Sequence, residues 1–285
     1  FPSRQVAEQL HESKGVDIAK DNVWSGNQAS NPRYGEIHQE IKLLDDQPPF
    51  YFAMYAPYRL ENISLMRNGN LNDQPLLDAS GCLRPQELDK KQHGKDFSYT
   101  VRSLEVNYKV TELREVVGTG PPSIVEHYTQ LPLEDKPVVS ELNEQGIDPK
   151  NYHPISEKVL KLSQTVANRR GFGGSIPSIY DKVQNIYDYL TDTNEFEYTR
   201  NYVEIRQDTE FTEQFLFGSQ QGHCRYFASA MAVMCRLNNI PARIVSGYAP
   251  GTFSLVENAY IYRASNAHSW VEVYFDGYGW IMFDP

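Results

Sequence analysis

The hydrophobic period of this chain turns from strand-like to helical and back again along its length, and those changes limit the folds open to it. In "FSYTVRSLEVNYKVTEL" (97–113), Tyr99, Val101, Leu104, Val106, Tyr108 and Val110 are mostly two residues apart, the repeat of a strand with one buried face. "EIHQEIKLL" (36–44) alternates in part, and "FYFAMYAPYRL" (50–60) is rich in aromatics. A small antiparallel sheet or sandwich is therefore expected over about 34–118. Later the spacing turns helical. "ISEKVLKLSQTVANRRG" (155–171) and "SIPSIYDKVQNIYDYLTDT" (175–193) repeat apolar residues every three or four positions. Prolines in "GTGPPS" and "YTQLPLEDKP" separate the two regimes and mark a domain boundary. The expected organisation is a polar N-terminal segment (1–33), a β-rich domain (34–140) and a second domain (141–285). Strand signals in "ARIVSGYAPG", "AYIYRAS", "HSWVEVYFDG" and "YGWIMFDP" follow the helices, so the second domain is expected to be α+β.

Composition narrows the partners. With 285 residues the chain suits two domains, and its formal charge of −10 works against nucleic acid or anionic lipid, which reward clustered Lys and Arg. No stretch approaches the ~20 apolar residues needed to span a bilayer. Three cysteines cannot all pair. Cys224 and Cys235 lie on one helical segment about 16 Å apart at ~1.5 Å per residue, beyond disulfide reach. Cys82 is isolated in a loop-like stretch.

The position of Cys224 is the chemical clue. Read as a helix, "GHCRYFASAMAVMCRLNN" begins near this residue and buries an Ala- and Met-rich girth. The first turn of a helix has free N–H groups and a positive dipole end, a setting that favours thiolate. Gly222 lets another backbone or a substrate approach, and the Cys224 N–H is aimed to serve an oxyanion. Cys235, mid-helix among apolar neighbours, reads as a buried hydrophobe.

His268 starts the strand of "AHSWVEVYFDGYGW". A hairpin through "FDGYG" would return Asp284, in "YGWIMFDP", beside it. Asp284 would then fix one ring nitrogen of His268 and leave the other to take a thiol proton. Cys224, His268 and Asp284 are thus candidate nucleophile, base and orienting group, with no cofactor and no metal. A zinc site from Cys224 and His268 lacks four-ligand spacing. His223 reads as a rim residue, and Arg243 as placed to pair within the fold. Asn62 in "NIS" fits a glycosylation pattern too common to carry weight.

These motifs, "GHCRYFASAMAVMCRLNNIPARIVSGY", "AHSWVEVYF" and "GWIMFDP", resemble the three core motifs of the transglutaminase-like superfamily, and within it the bacterial membrane-anchored, TgpA-type branch, often described as cysteine proteases. The likeness covers about residues 177–285 well and the N-terminal strands more loosely. It implies a papain-related α+β core with Cys224 on the central helix. It also implies a thioester-forming enzyme that acts on a carboxamide or peptide bond of a polypeptide, by amine transfer or hydrolysis. It further implies a domain outside the cytoplasmic membrane, held by transmembrane segments beyond this chain. Arg225 departs from the family, since an acidic residue is expected after the cysteine; a guanidinium there should tune the substrate. Tyr198, Gln220 and Gln221 are alternatives for a second oxyanion donor. The acid-rich surface leans toward neutral or cationic acceptors such as lysine-bearing polypeptides. The competing reading is an inert scaffold that keeps the fold as a binding module.

Overall fold

The computed structural model describes residues 33–43, 56–64, 76–77, 83–84, 98–131, 153–169, 171–201, 203–204, 206 and 209–285. The chain divides into two compact units, one within residues 6–107 and one that takes in 108–285. Cys82 lies outside the described residues.

In the first unit, β1 (Tyr34–Lys42), β2 (Ala56–Ser64) and β5 (Ser98–Val106) form an antiparallel sheet in the order β1-β5-β2. A two-residue pair, β3 (Leu76–Leu77) and β4 (Leu83–Arg84), accompanies it. The central strand buries Tyr99, Val101 and Leu104 of the expected apolar set, with Ser103 beside them, and leaves Val106 half-buried. Glu36 on the β1 edge accepts from Arg102 Nη1 at 2.9 Å. The strand expected over 97–113 stops at Val106. Leu113 instead needs the helical spacing of α1 (Val110–Arg114), a short helix of the second unit, where it is fully buried.

The second unit is α+β, as expected. Pro121 and Pro122 start α2 (Pro122–Tyr128); proline suits a helix start because its missing N–H would have no partner there. α3 (Glu157–Ala167) and α4 (Ile179–Leu190) are each capped by a serine, Ser156 and Ser178. Burial alone would raise the Asp181 carboxyl. Bonds from Arg114 Nε at 2.8 Å and from Ser178 outweigh it and hold the group below its ordinary range. β6 (Glu197–Tyr198) is followed by α5 (Phe211–Gln214), a π-helical turn (Phe215–Ser219) and β7 (Gln221–Gly222). The central helix α6 (Cys224–Leu237) is buried around most of its girth. Ala228, Ala230 and Ala232 let its neighbours approach closely.

α6 packs against α3 and α4 and against an antiparallel sheet of β12 (Gly279–Phe283), β11 (Ala267–Phe275) and β8 (Ala242–Tyr248), in that order. Its C-terminus stops at Asn239 in the left-handed region, φ 57°, with the Ile240 N–H returning to the Cys235 carbonyl at 3.0 Å. Ser163 of α3 and Asn238 both donate to the Met234 carbonyl, at 2.9 Å each. A small hairpin, β9 (Thr252–Ser254) and β10 (Ala259–Ile261), is inserted between β8 and β11. Among the described residues no helix is long and apolar enough to cross a membrane.

Candidate active site

The start of α6 is built by three successive choices. Gly222 is buried in β7 and pairs, parallel, with Tyr198 of β6. His223 is extended, φ −101° and ψ 179°, and serves as the cap position, its carbonyl accepting from the Tyr226 N–H at 2.8 Å. Cys224 is then the first helical residue. It is 9% exposed and opens onto a cavity of about 440 Å³. Tyr198, Arg200, His223, Arg225 and His268 line the same cavity.

Gly222 has no room for a side chain. A Cβ there would meet Tyr226 Cγ at 2.4 Å and Cβ at 2.7 Å. Tyr226 cannot yield easily, because its ring is wedged among Phe211, Phe215 and His223, with centroids 5.0, 5.9 and 4.9 Å away. Gly222→Ala is therefore expected to cost about 2–3 kcal/mol through overpacking, measured as a lower midpoint in urea unfolding. An unchanged midpoint would show that the aromatic wedge is looser than described.

His268 enters from β11 opposite Gly247 of β8. A Cβ at Gly247 would lie 2.7 Å from Trp270, so the glycine keeps this edge of the site open for the indole. In the β11–β12 hairpin Val271 faces Phe283. The next residue, Asp284, therefore arrives level with Trp270, on the same face as His268 and two residues from it. The contact is made: His268 Nε2 lies 2.8 Å from Asp284 Oδ1 and 2.9 Å from Oδ2. A carboxylate only accepts, so Nε2 carries a proton and donates, which in the neutral ring leaves the lone pair on Nδ1. The His268 side chain is 20% exposed and that of Asp284 is 48% exposed.

Cys224 and His268 thus share one cavity, and Asp284 holds His268. Cys235 is fully buried eleven positions along the helix, with its thiol pushed up to about 12 by burial. The His223 imidazole is shifted down, by burial first and then by Arg225, so it is neutral near pH 7. Of the three alternatives for a second oxyanion donor, Tyr198 lines the cavity, its ring stacked on Phe227 with centroids 6.0 Å apart. Gln221 turns its amide to Glu197 at 2.8 Å, and neither Gln220 nor Gln221 lines the cavity. The parallel β6–β7 pairing that brings Tyr198 beside Gly222 has no sequence signal, since two-residue strands are too short to show a period. Arg243 of β8 pairs with its cross-strand neighbour Glu272 at 2.7 Å and lies over Trp280. Burial opposes its charge, but Glu272 and Tyr128 together outweigh that and raise its pKa. Among the described residues no group of three or more His, Cys, Asp or Glu is arranged to hold a metal ion.

Known proteins resemble this chain in sequence and in fold. The chain is 30% identical over 280 residues to the uncharacterized protein YebA of Bacillus subtilis, an alignment that covers 93% of this chain and 32% of YebA. A 73-residue stretch, 26% of this chain and 11% of the relative, is 38% identical to a protein-glutamine gamma-glutamyltransferase of Pseudomonas aeruginosa. The chain thus spans under a third of either relative. Its fold is similar to the crystal structure of the periplasmic domain of TgpA from Pseudomonas aeruginosa. The TM-score is 0.60 at 19% identity, over 88% of this chain and 69% of that one. Residues 166–285, which hold all three candidate residues, match the family model of the transglutaminase-like superfamily. The likeness to the transglutaminase-like superfamily is therefore carried by residues 166–285.

Proposed function

We propose that the second unit is a thiol acyltransferase or hydrolase that acts on a carboxamide or peptide bond of a polypeptide through a thioester on Cys224. The observation that carries this reading is the shared cavity of Cys224 and His268, with the His268 Nε2–H held by Asp284. His268 Nδ1 takes the Cys224 proton as sulfur bonds to the carbonyl carbon. The oxygen gains negative charge and accepts from the Cys224 N–H, which has no acceptor within the helix, and from the Tyr198 hydroxyl. Collapse breaks the carbon–nitrogen bond, and the His268 imidazolium protonates the departing ammonia or amine. A second amine, or water, then gives its proton to His268 as it attacks the thioester, and the thiol is restored.

The name of the Pseudomonas relative, a protein-glutamine gamma-glutamyltransferase, supports glutamine side chains as acyl donors and amines as acceptors. The likeness to a periplasmic domain supports a site outside the cytoplasmic membrane, with any anchor in segments beyond this chain. The test is incubation with a glutamine-containing peptide and a dansyl-labelled primary amine, followed by intact-mass and peptide-level spectrometry. The expected result is an adduct of the peptide, less ammonia, on Cys224. Dansyl incorporation identifies acyl transfer, and ammonia release or peptide cleavage without incorporation identifies hydrolysis. If neither adduct nor product forms over a range of peptides, the domain is an inert scaffold and the reading fails.

A further inference from the structure

The chain has a formal charge of −10, yet the side chains around the Cys224 cavity reverse that sign. Arg200 and Arg225 both line the cavity, and among the described residues none that lines it is Asp or Glu. Both arginines are exposed to the solvent that fills the cleft. Arg225 follows Cys224 directly. Arg200 lies two residues past Tyr198, the last residue of the strand that pairs with the approach to α6. Of the other arginines in this unit, Arg114 is paired with Asp181 and Arg243 with Glu272. Arg200 has no ion-pair partner among the described residues.

A guanidinium presents several N–H donors in a planar fork that fits a carboxylate. Two of them in a concave site concentrate positive potential where the overall charge would repel acids. His223 is neutral near pH 7, shifted down by burial and by Arg225, and adds hydrogen-bonding capacity rather than charge. We propose, resting on the thioester reading above, that Arg200 and Arg225 make this cleft select an acidic acyl donor. The donor is a polypeptide with Asp or Glu within about two residues of the reacting carbonyl, as an extended chain advances only ~3.3 Å per residue. The neutral and cationic groups favoured by the acidic outer surface would then be the acceptors. Donor and acceptor are sorted by opposite charge.

The test separates recognition from chemistry by using the full chain with Cys224→Ala, which binds without reacting. Fluorescein-labelled glutamine peptides that differ only in flanking residues, two Glu or two Lys, are titrated and followed by anisotropy at low salt. The Glu peptide is expected to bind about tenfold more tightly, with the difference shrinking toward unity as salt is raised. In the same background Arg200→Glu is expected to remove most of the preference, and Arg200→Glu with Arg225→Gln to reverse it. Circular dichroism confirms that each variant is folded, and Arg200→Glu alone suffices if the double variant is not. Equal affinity for the two peptides, including no measurable binding of either, overturns the proposal, as does a preference that survives Arg200→Glu. Because no bond is made, these results stand apart from the thioester experiment: an inert thiol with a Glu preference would sink only the chemistry.

Discussion

Cys224→Ala is expected to abolish turnover, lowering kcat by at least about 10^4-fold, the scale on which removal of a nucleophile acts, whereas Cys235→Ala leaves kcat near that of the unaltered protein. The two thiols sit on one helix in opposite settings. Cys224 occupies the first position and opens onto the cavity. Cys235 has no exposed surface, and burial pushes its thiol up to about 12, against a small opposing effect of Arg236. Its replacement removes a packed sulfur and should cost about 1–2 kcal/mol in urea unfolding. A substrate-free readout makes the same distinction. In the native protein iodoacetamide should alkylate Cys224 near neutral pH, and Cys235 only after unfolding, as scored on the separated peptides. Native labelling of Cys235 with sparing of Cys224 would remove the thiol from the chemistry.

Much of this site is legible in the sequence because its parts are local. The start of α6 follows from a break after Gly222 and the Ala- and Met-rich run "FASAMAVM". The helices at 157–167 and 179–190 follow from apolar spacing, and each starts at a serine cap, Ser156 and Ser178. The meeting of His268 with Asp284 follows from a hairpin of fixed register, in which Phe275 faces Gly279. What escapes the sequence is decided by packing between distant segments. Val110 extends the alternating run and lets "VTELR" pass for strand, yet the segment is helical, with Leu113 buried in the second unit and Arg114 reaching Asp181, 67 residues away. Pro121 and Pro122 look like a linker and instead begin a helix, whose Tyr128 packs edge-on against Trp280. Tyr198 is brought to the cavity by a two-residue parallel pairing and by stacking on Phe227. No periodicity announces either. The strand expected at 50–60 lies at 56–64, and the aromatic run before it is outside the described residues.

Asp284→Ala is expected to lower kcat by about 10^2- to 10^3-fold, ~3–4 kcal/mol in the barrier, with KM nearly unchanged. The split follows from position. Asp284 is not among the residues that line the cavity, and its contact to the site is the bond from His268 Nε2–H. Without it the ring loses the group that fixes its tautomer and its angle. Either nitrogen can then hold the proton, and only one arrangement leaves Nδ1 able to accept from the thiol. The imidazolium formed during attack also loses its counter-charge, although the 48% exposure of the Asp284 side chain means that water replaces part of that charge. Asp284→Asn separates the two effects. An amide oxygen can still accept from Nε2–H, so Asn should restore the orientation but not the charge. It is expected to recover all but about 10- to 30-fold of kcat, as the Cys-His-Asn arrangement of some thiol proteases allows. Steady-state kinetics on the three proteins decides the matter. If Asn and Ala are equally impaired, charge rather than orientation is what Asp284 supplies; if neither differs from the unaltered protein, the His268–Asp284 contact has no part in turnover.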